Sequence, residues 1–194
     1  MIIRYVLCLV LSISSLISYA QTVNLPCPKG WSTESFKLPV DFAPNIPYSG
    51  IEELRFSPGW GTPGNEELWS YCYLWWIDGE VEVTASNLKN HLEDYYNGLV
   101  SRNVASRKIE TSKVVPTKAR FKQVTDASGN YFVGTVSMLD YMSEKPIVLN
   151  IKVNKTFCKE HNKEAVFFSI SPQSKEHRVW KELDQIWAGF QCSK

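Results

Sequence analysis

The chain has almost no surplus charge: 21 Lys and Arg stand against 20 Asp and Glu among its 194 residues. A balance this even generates no long-range field, so nucleic acid, which demands a basic face, is not an expected partner. No run of Lys or Arg is long enough to act as a polybasic membrane patch. Histidine is scarce, with His91, His161 and His177 alone in the chain. None of them falls in an H-E-x-x-H pattern, no G-x-S-x-G is present, and no Cys/His signature appears. Cysteine pairs at C-x-x-C spacing are also missing, and only His161 closely follows a cysteine, Cys158. The usual zinc spacings are therefore absent, and neither a metal nor a cofactor is expected. No residue stands out as catalytic. Long apolar runs are lacking too. The N-terminal one is broken by Ser12, Ser14 and Ser15 and falls short of the roughly 20 residues that span a bilayer.

What that N-terminus does have is the three-part pattern of a secretory signal. Arg4 precedes an apolar stretch from Tyr5 through Leu11, Ile13, Leu16 and Ile17, which ends at Ser18-Tyr19-Ala20 with small residues at the −3 and −1 positions. Residues 1–20 are accordingly expected to be a signal peptide, and residues 21–194 a single secreted or periplasmic domain with no stable transmembrane segment. Cys8 lies in the apolar core and Cys27 follows Pro26, so neither fits a lipoprotein box. Removing Arg4 brings the mature chain to zero formal charge, and its length is ample for one real core.

Cys27, Cys72, Cys158 and Cys192 remain after cleavage. An even number in an oxidising compartment suggests two bridges, with three possible connectivities. We favour Cys158–Cys192, one following a strand and the other the terminal helix, which leaves Cys27 to reach Cys72.

Hydrophobic periodicity gives the architecture. Pro26, Pro28, Pro39, Pro44 and Pro47 make residues 21–50 an extended lead-in with one short strand near Ser35–Leu38. Ile51–Phe56 reads as a strand, closed by Ser57-Pro58-Gly59. Trp69–Ile77 is the most apolar strand, with large side chains on both faces, which places it centrally. Asp78-Gly79 marks a turn, with Glu80–Val83 a possible return strand. A helix from about Ser86 to Val100 follows, capped by Thr84 or Ser86 and apolar at Leu88, Leu92, Tyr95 or Tyr96, and Leu99. Lys118–Thr125, Tyr131–Leu139, Ile147–Val153 and Ala165–Ile170 alternate with period two as half-buried strands. A last helix spans about Lys175–Phe190. The expectation is an α+β fold, β-β-β-α-β-β-β-β-α, with an antiparallel sheet of about six to seven strands and two main helices packed on it.

Element order resembles the PsbP-like α/β/α sandwich, an antiparallel sheet with helices on both faces. The segments Phe36-Lys37-Leu38-Pro39, Tyr71–Asp78 and Asp94-Tyr95-Tyr96-Asn97-Gly98-Leu99 are similar to uncharacterised secreted proteins of Gram-negative bacteria. Neither likeness implies an activity or a set of functional residues.

Aromatic density is the strongest local anomaly. Trp60, Trp69, Trp75 and Trp76 crowd with Tyr71 and Tyr73 into one short segment. The strand members read as core. Trp60, in a Gly/Pro loop, is either a lid pinned to the sheet or a binding platform. Glu66 and Glu67 beside Trp60 and Trp69 are the one carboxylate pair worth considering for sugar chemistry, which needs two facing acids. Asn154-Lys155-Thr156 is a glycosylation sequon. The leading expectation is a non-catalytic binding or interaction module for an envelope protein or glycan. The alternatives are a carbohydrate or small-ligand binder using Trp60, Trp69, Glu66 and Glu67, and a hydrolase with paired carboxylates.

Overall fold

The computed structural model describes residues 23–127 and 129–192; the expected signal peptide lies outside the described residues. Strands β1 (Ser32–Leu38), β2 (Gly50–Phe56) and β3 (Tyr71–Asp78) form an antiparallel meander from one sheet edge toward the centre. Helix α1 (Ala85–Arg107) then carries the chain to the opposite edge. From there β4 (Lys118–Asp126), β5 (Gly129–Asp140), β6 (Lys145–Cys158) and β7 (Lys163–Ser171) return step by step until β7 pairs with β3. Helix α2 (Arg178–Gly189) closes the fold. The sheet order is β1-β2-β3-β7-β6-β5-β4, antiparallel throughout. This is the expected α+β order, with seven strands.

Strands β1 and β3 and helix α2 begin at Ser32, Tyr71 and Arg178 rather than Ser35, Trp69 and Lys175, and three further differences have a physical reason. Residues 80–83 form no strand, because both edges of β3 are already occupied by β2 and β7; only Gly79 bridges to Lys163. Helix α1 runs two turns past Val100, since residues 101–107 are polar and mostly exposed and show no apolar stripe. It starts as read: the Thr84 side chain accepts from Asn87 N, Asn87 Oδ1 accepts from Thr84 N, and this reciprocal cap satisfies two otherwise orphaned donors. Strand β6 continues to Cys158, pairing Thr156 with Ala165. The sequon asparagine therefore sits in mid-strand opposite Phe167 with its amide nitrogen buried, closed to a glycan.

Each face of the sheet has its own core. Tyr71, Tyr73, Trp75 and Ile77 of β3 pack with Leu88, Leu92, Tyr95 and Tyr96 of α1. Cys72, Leu74 and Trp76 on the other face pack with Val179, Trp180, Leu183 and Ile186 of α2 and with Leu25 and Trp31 of the N-terminal segment. Such side chains contribute about 1.5–3 kcal/mol each when fully buried. Cys158–Cys192 is a disulfide that ties the chain after α2 to the end of β6. The expected Cys27–Cys72 bridge is not formed: Cys27 is exposed with Sγ turned to the carbonyl of Trp31, while Cys72 is sealed in the α2-side core. Burial pushes the Cys72 thiol far up, so it is unreactive in the folded state. Among the described residues no helix is long and apolar enough to cross a membrane.

Where the Pro-rich segment crosses α1, a side chain at Gly98 would put its Cβ 1.7 Å from the Phe42 carbonyl oxygen. An alanine in mid-helix ordinarily stabilises by roughly 1 kcal/mol over glycine. Here we expect Gly98→Ala to lower stability by about 1–3 kcal/mol in urea denaturation, because backbone must move. An unchanged or higher midpoint would show that the segment does not rest on α1. Thiol titration of unreduced residues 21–194 should count Cys27 alone when native, and Cys27 plus Cys72 after unfolding. A native count that includes Cys72 would contradict the sealed α2-side core.

Candidate functional site

Helix α1 lies close to β4 and β5, where the sheet offers small or compact residues such as Ala119 and Val136. Over β1–β3 the sheet carries Tyr71, Tyr73 and Trp75, and their bulk holds the helix away. Phe36 on edge strand β1 remains 46% exposed. The result is a cavity of about 260 Å³ between α1, β1–β2 and the loop before β3. Phe56, Trp60, Trp69, Tyr71, Tyr95 and Tyr141 supply its aromatic wall, and Glu34, Arg102 and Asn103 stand among its lining polar groups.

Trp60 is half-buried, its ring 4.3 Å from Phe56 and 6.3 Å from Tyr71 between centroids. One side of the indole is thus covered, as expected of a ring laid on a sheet. Trp69 takes a different role. It precedes β3 in a left-handed conformation (φ 57°), which is uncommon for a bulky residue, and it is 1% exposed. Its indole N–H donates to Asp140 Oδ1 at 2.8 Å and Tyr141 meets its ring edge-on. That anchor holds the backbone turn against its strain.

Glu66 and Glu67, paired in sequence with these tryptophans, point the other way. Glu67 is buried; its Oε2 accepts from Gly59 N at 3.0 Å and its Oε1 from Arg178 of α2 at 2.6 Å. Glu66 is exposed and binds the same guanidinium at 2.7 Å, which holds its carboxyl below the usual range. The structure therefore brings Trp60 and Trp69 together at the cavity and places the two glutamates behind the loop, as its fastening. Arg178 also bonds Glu182.

A fully buried carboxylate behind the cavity wall was not singled out by sequence. Glu52 lies on β2 opposite Phe36 and Trp75, on the α1 face, and is fully buried. Tyr95 of the cavity wall donates to its Oε1 at 2.8 Å, while Oε2 makes no hydrogen bond among the described residues. Burial raises its pKa to about 7, with the Tyr95 hydroxyl opposing that shift and the charge of Glu34 adding to it. A glutamate inside a strand whose neighbours Leu54 and Phe56 share its face was the available signal. Tyr71 and Tyr96 hydroxyls meet at 2.6 Å alongside.

No family model, curated protein or solved structure matches this chain.

The three histidines lie apart. His91 meets Tyr48 edge-on and burial lowers its pKa; His161 faces Trp76; His177 caps α2 by accepting from Val179 N. Among the described residues no group of three or more His, Cys, Asp or Glu side chains could hold a metal ion.

Glu52 makes stability depend on pH. The unfolded chain releases this proton above about 4.5 and the folded chain only above about 7, so stability falls as pH rises through that window. The difference corresponds to about 3 kcal/mol. Glu52→Gln, which keeps an acceptor for Tyr95, should match wild type at about pH 4 and exceed it by that order at about pH 8. Parallel stability curves for the two proteins would show that Glu52 titrates normally.

Proposed function

We propose that this chain is a non-catalytic binding domain that works outside the cytoplasm, and that its site is the cavity beneath Trp60. The observation that carries this reading is a concave aromatic space with a half-buried tryptophan in its wall. Its volume of about 260 Å³ lies just under the roughly 300–1,000 Å³ of sites for drug-sized ligands, which favours a ligand of one or two rings. Three polar atoms of the wall already have partners: Trp69 Nε1 with Asp140, Tyr95 with Glu52, Tyr71 with Tyr96. A buried sugar would leave its hydroxyls unpaired at a cost of about 1–3 kcal/mol each. The wall thus favours a flat aromatic or apolar body over a glycan. Glu34 makes no ion pair or hydrogen bond among the described residues and can accept from an amine or hydroxyl at the ligand's outer end.

Docking of an envelope protein on a flat patch of Trp60, Trp69 and Pro63 has less support, because Trp69 is buried. A hydrolytic reading has less again, since Glu66 and Glu67 share one guanidinium rather than face a substrate. The signal-like residues 1–20 and the Cys158–Cys192 bond support a secreted or periplasmic setting.

Saturation-transfer NMR with a panel of indoles, phenols, aromatic amines and monosaccharides tests the site. Aromatic compounds should bind in preference to sugars, and Trp60→Ala should weaken them at least about tenfold, or 1.4 kcal/mol. Trp60→Phe should retain part of the affinity. Binding that survives Trp60→Ala unchanged, or a panel with no aromatic binder, would sink the proposal.

A further inference from the structure

The opposite face of the sheet carries a second concavity, away from the aromatic cavity. On β4, Ala119 and Phe121 turn toward α1, so Arg120 and Lys122 turn to the α2 side. Helix α2 is short and packs on β7, leaving that side of β4 and β5 uncovered. Register sets the floor: Arg120 lies beside Thr135, which lies beside Asn150, and Lys122 lies beside Val133. Asn150 Nδ2 donates to the carbonyls of Pro172 and Gln173, which fixes the loop bearing Lys175 as the far wall. These six residues line a groove of about 390 Å³.

No carboxylate lines the groove. Arg120, Lys122 and Lys175 make no ion pair among the described residues. Of the carboxylates near the groove, Asp184 is ion-paired with Lys152, while Asp126 and Glu176 accept from neutral donors and lie outside the lining. Lys175 rests over the Trp180 ring at 3.0 Å. Partial desolvation there and the charge of Lys152, opposed by that of Asp184, lower its pKa to about 8. A cation kept under that penalty is relieved by an anion. Lysine and arginine on an edge strand also discourage edge-to-edge pairing. That role does not account for Lys175, which comes from a different segment and faces the same groove.

We propose that this groove binds a soluble oligophosphate-type anion, with Arg120 and Lys122 taking successive phosphoryl groups and Lys175 closing from the loop. The two β4 cations are two residues apart on one strand, about 6.6–6.8 Å, a spacing that suits adjacent or next-adjacent phosphoryl groups. A guanidinium matches a phosphoryl group bidentately, and an ammonium supplies a compact point charge. Thr135 and Asn150 provide neutral polar contacts on the floor.

Isothermal titration of the whole mature domain with inorganic tripolyphosphate tests this. Binding should be measurable at low salt and weaken as salt rises. Arg120→Gln/Lys122→Gln should lose at least about tenfold in affinity, equivalent to 1.4 kcal/mol, with an unchanged melting temperature. Lys29→Gln/Lys37→Gln, which removes the same charge from the β1 side, should bind as wild type. No binding by wild type, or equal losses in both double variants, overturns the proposal. Binding confined to phosphatidylcholine vesicles containing phosphatidic acid, with none to tripolyphosphate, overturns it in favour of a lipid headgroup. If Arg120→Gln/Lys122→Gln keeps its affinity and only self-associates, the cations merely guard the sheet edge and the proposal fails.

Discussion

Strand β3 has no face that water can share. Tyr71, Tyr73, Trp75 and Ile77 lie on one side and Cys72, Leu74 and Trp76 on the other, all at or below 5% exposure. Both faces must therefore be covered, which requires a layer of helix or loop on each. The chain satisfies this with α1 and the Pro-rich segment on one face, and with α2 and the N-terminal segment on the other. Both lateral edges are needed as well, so β2 and β7 flank β3 and the sheet grows outward from it. The same bulk that forces burial keeps α1 from closing down over β1–β3, and the cavity is the space left by that mismatch. Compact Ala119 lets the helix side of the sheet pack closely at the other end, where Gly134 leaves room for the Phe121 ring.

One buried carboxylate links the two layers. Glu67 fastens the Trp60 loop by accepting from Gly59 N, and it draws its compensating charge from Arg178 on the far helix. Taking a carboxylate out of water is costly unless it is paired and hydrogen-bonded, and Glu67 is both. The position of Trp60 over Phe56 thus depends on an ion pair made on the opposite side of the sheet. Trp69 adds a second fixed point through Asp140, whose other contacts, Met142 N and Ser143 Oγ, hold the turn after β5. Trp60 sits between these anchors, and Trp69 N donates to its carbonyl at 2.8 Å.

Much of the fold was legible because its strands alternate cleanly or are apolar on both faces. The β4–β7 meander and the central place of β3 follow from residue patterns alone, and Thr84 was one of the two N-caps they offered for α1. What escaped depended on partners remote in sequence. Glu80–Val83 has good strand residues but no free edge to join. Residues 101–107 look like a polar linker, yet they are helical and bring Arg102 and Asn103 to the cavity. Adjacency in sequence grouped Glu66 and Glu67 with Trp60, although the loop turns them to Arg178, more than a hundred residues away. Glu52 was passed over for the converse reason: the Glu52-Glu53 pair looks like solvated charge until α1 is laid over the face that Glu52 shares.

Net charge misled in a similar way. A sum near zero excludes a strong overall field, but it is silent about where each charge is placed. Alternation along β4 sends Ala119 and Phe121 to the core and Arg120 and Lys122 to the other side, so the strand separates its cations by geometry. No acid stands among the groove's lining residues, and the nearby Asp184 is paired with Lys152. A neutral chain thereby keeps one locally basic groove, and a Debye length of about 8–10 Å lets that groove act on an anion without help from the whole-molecule field. Electrostatic reach in this protein is therefore a property of one sheet face. It can be read only once strand register is known.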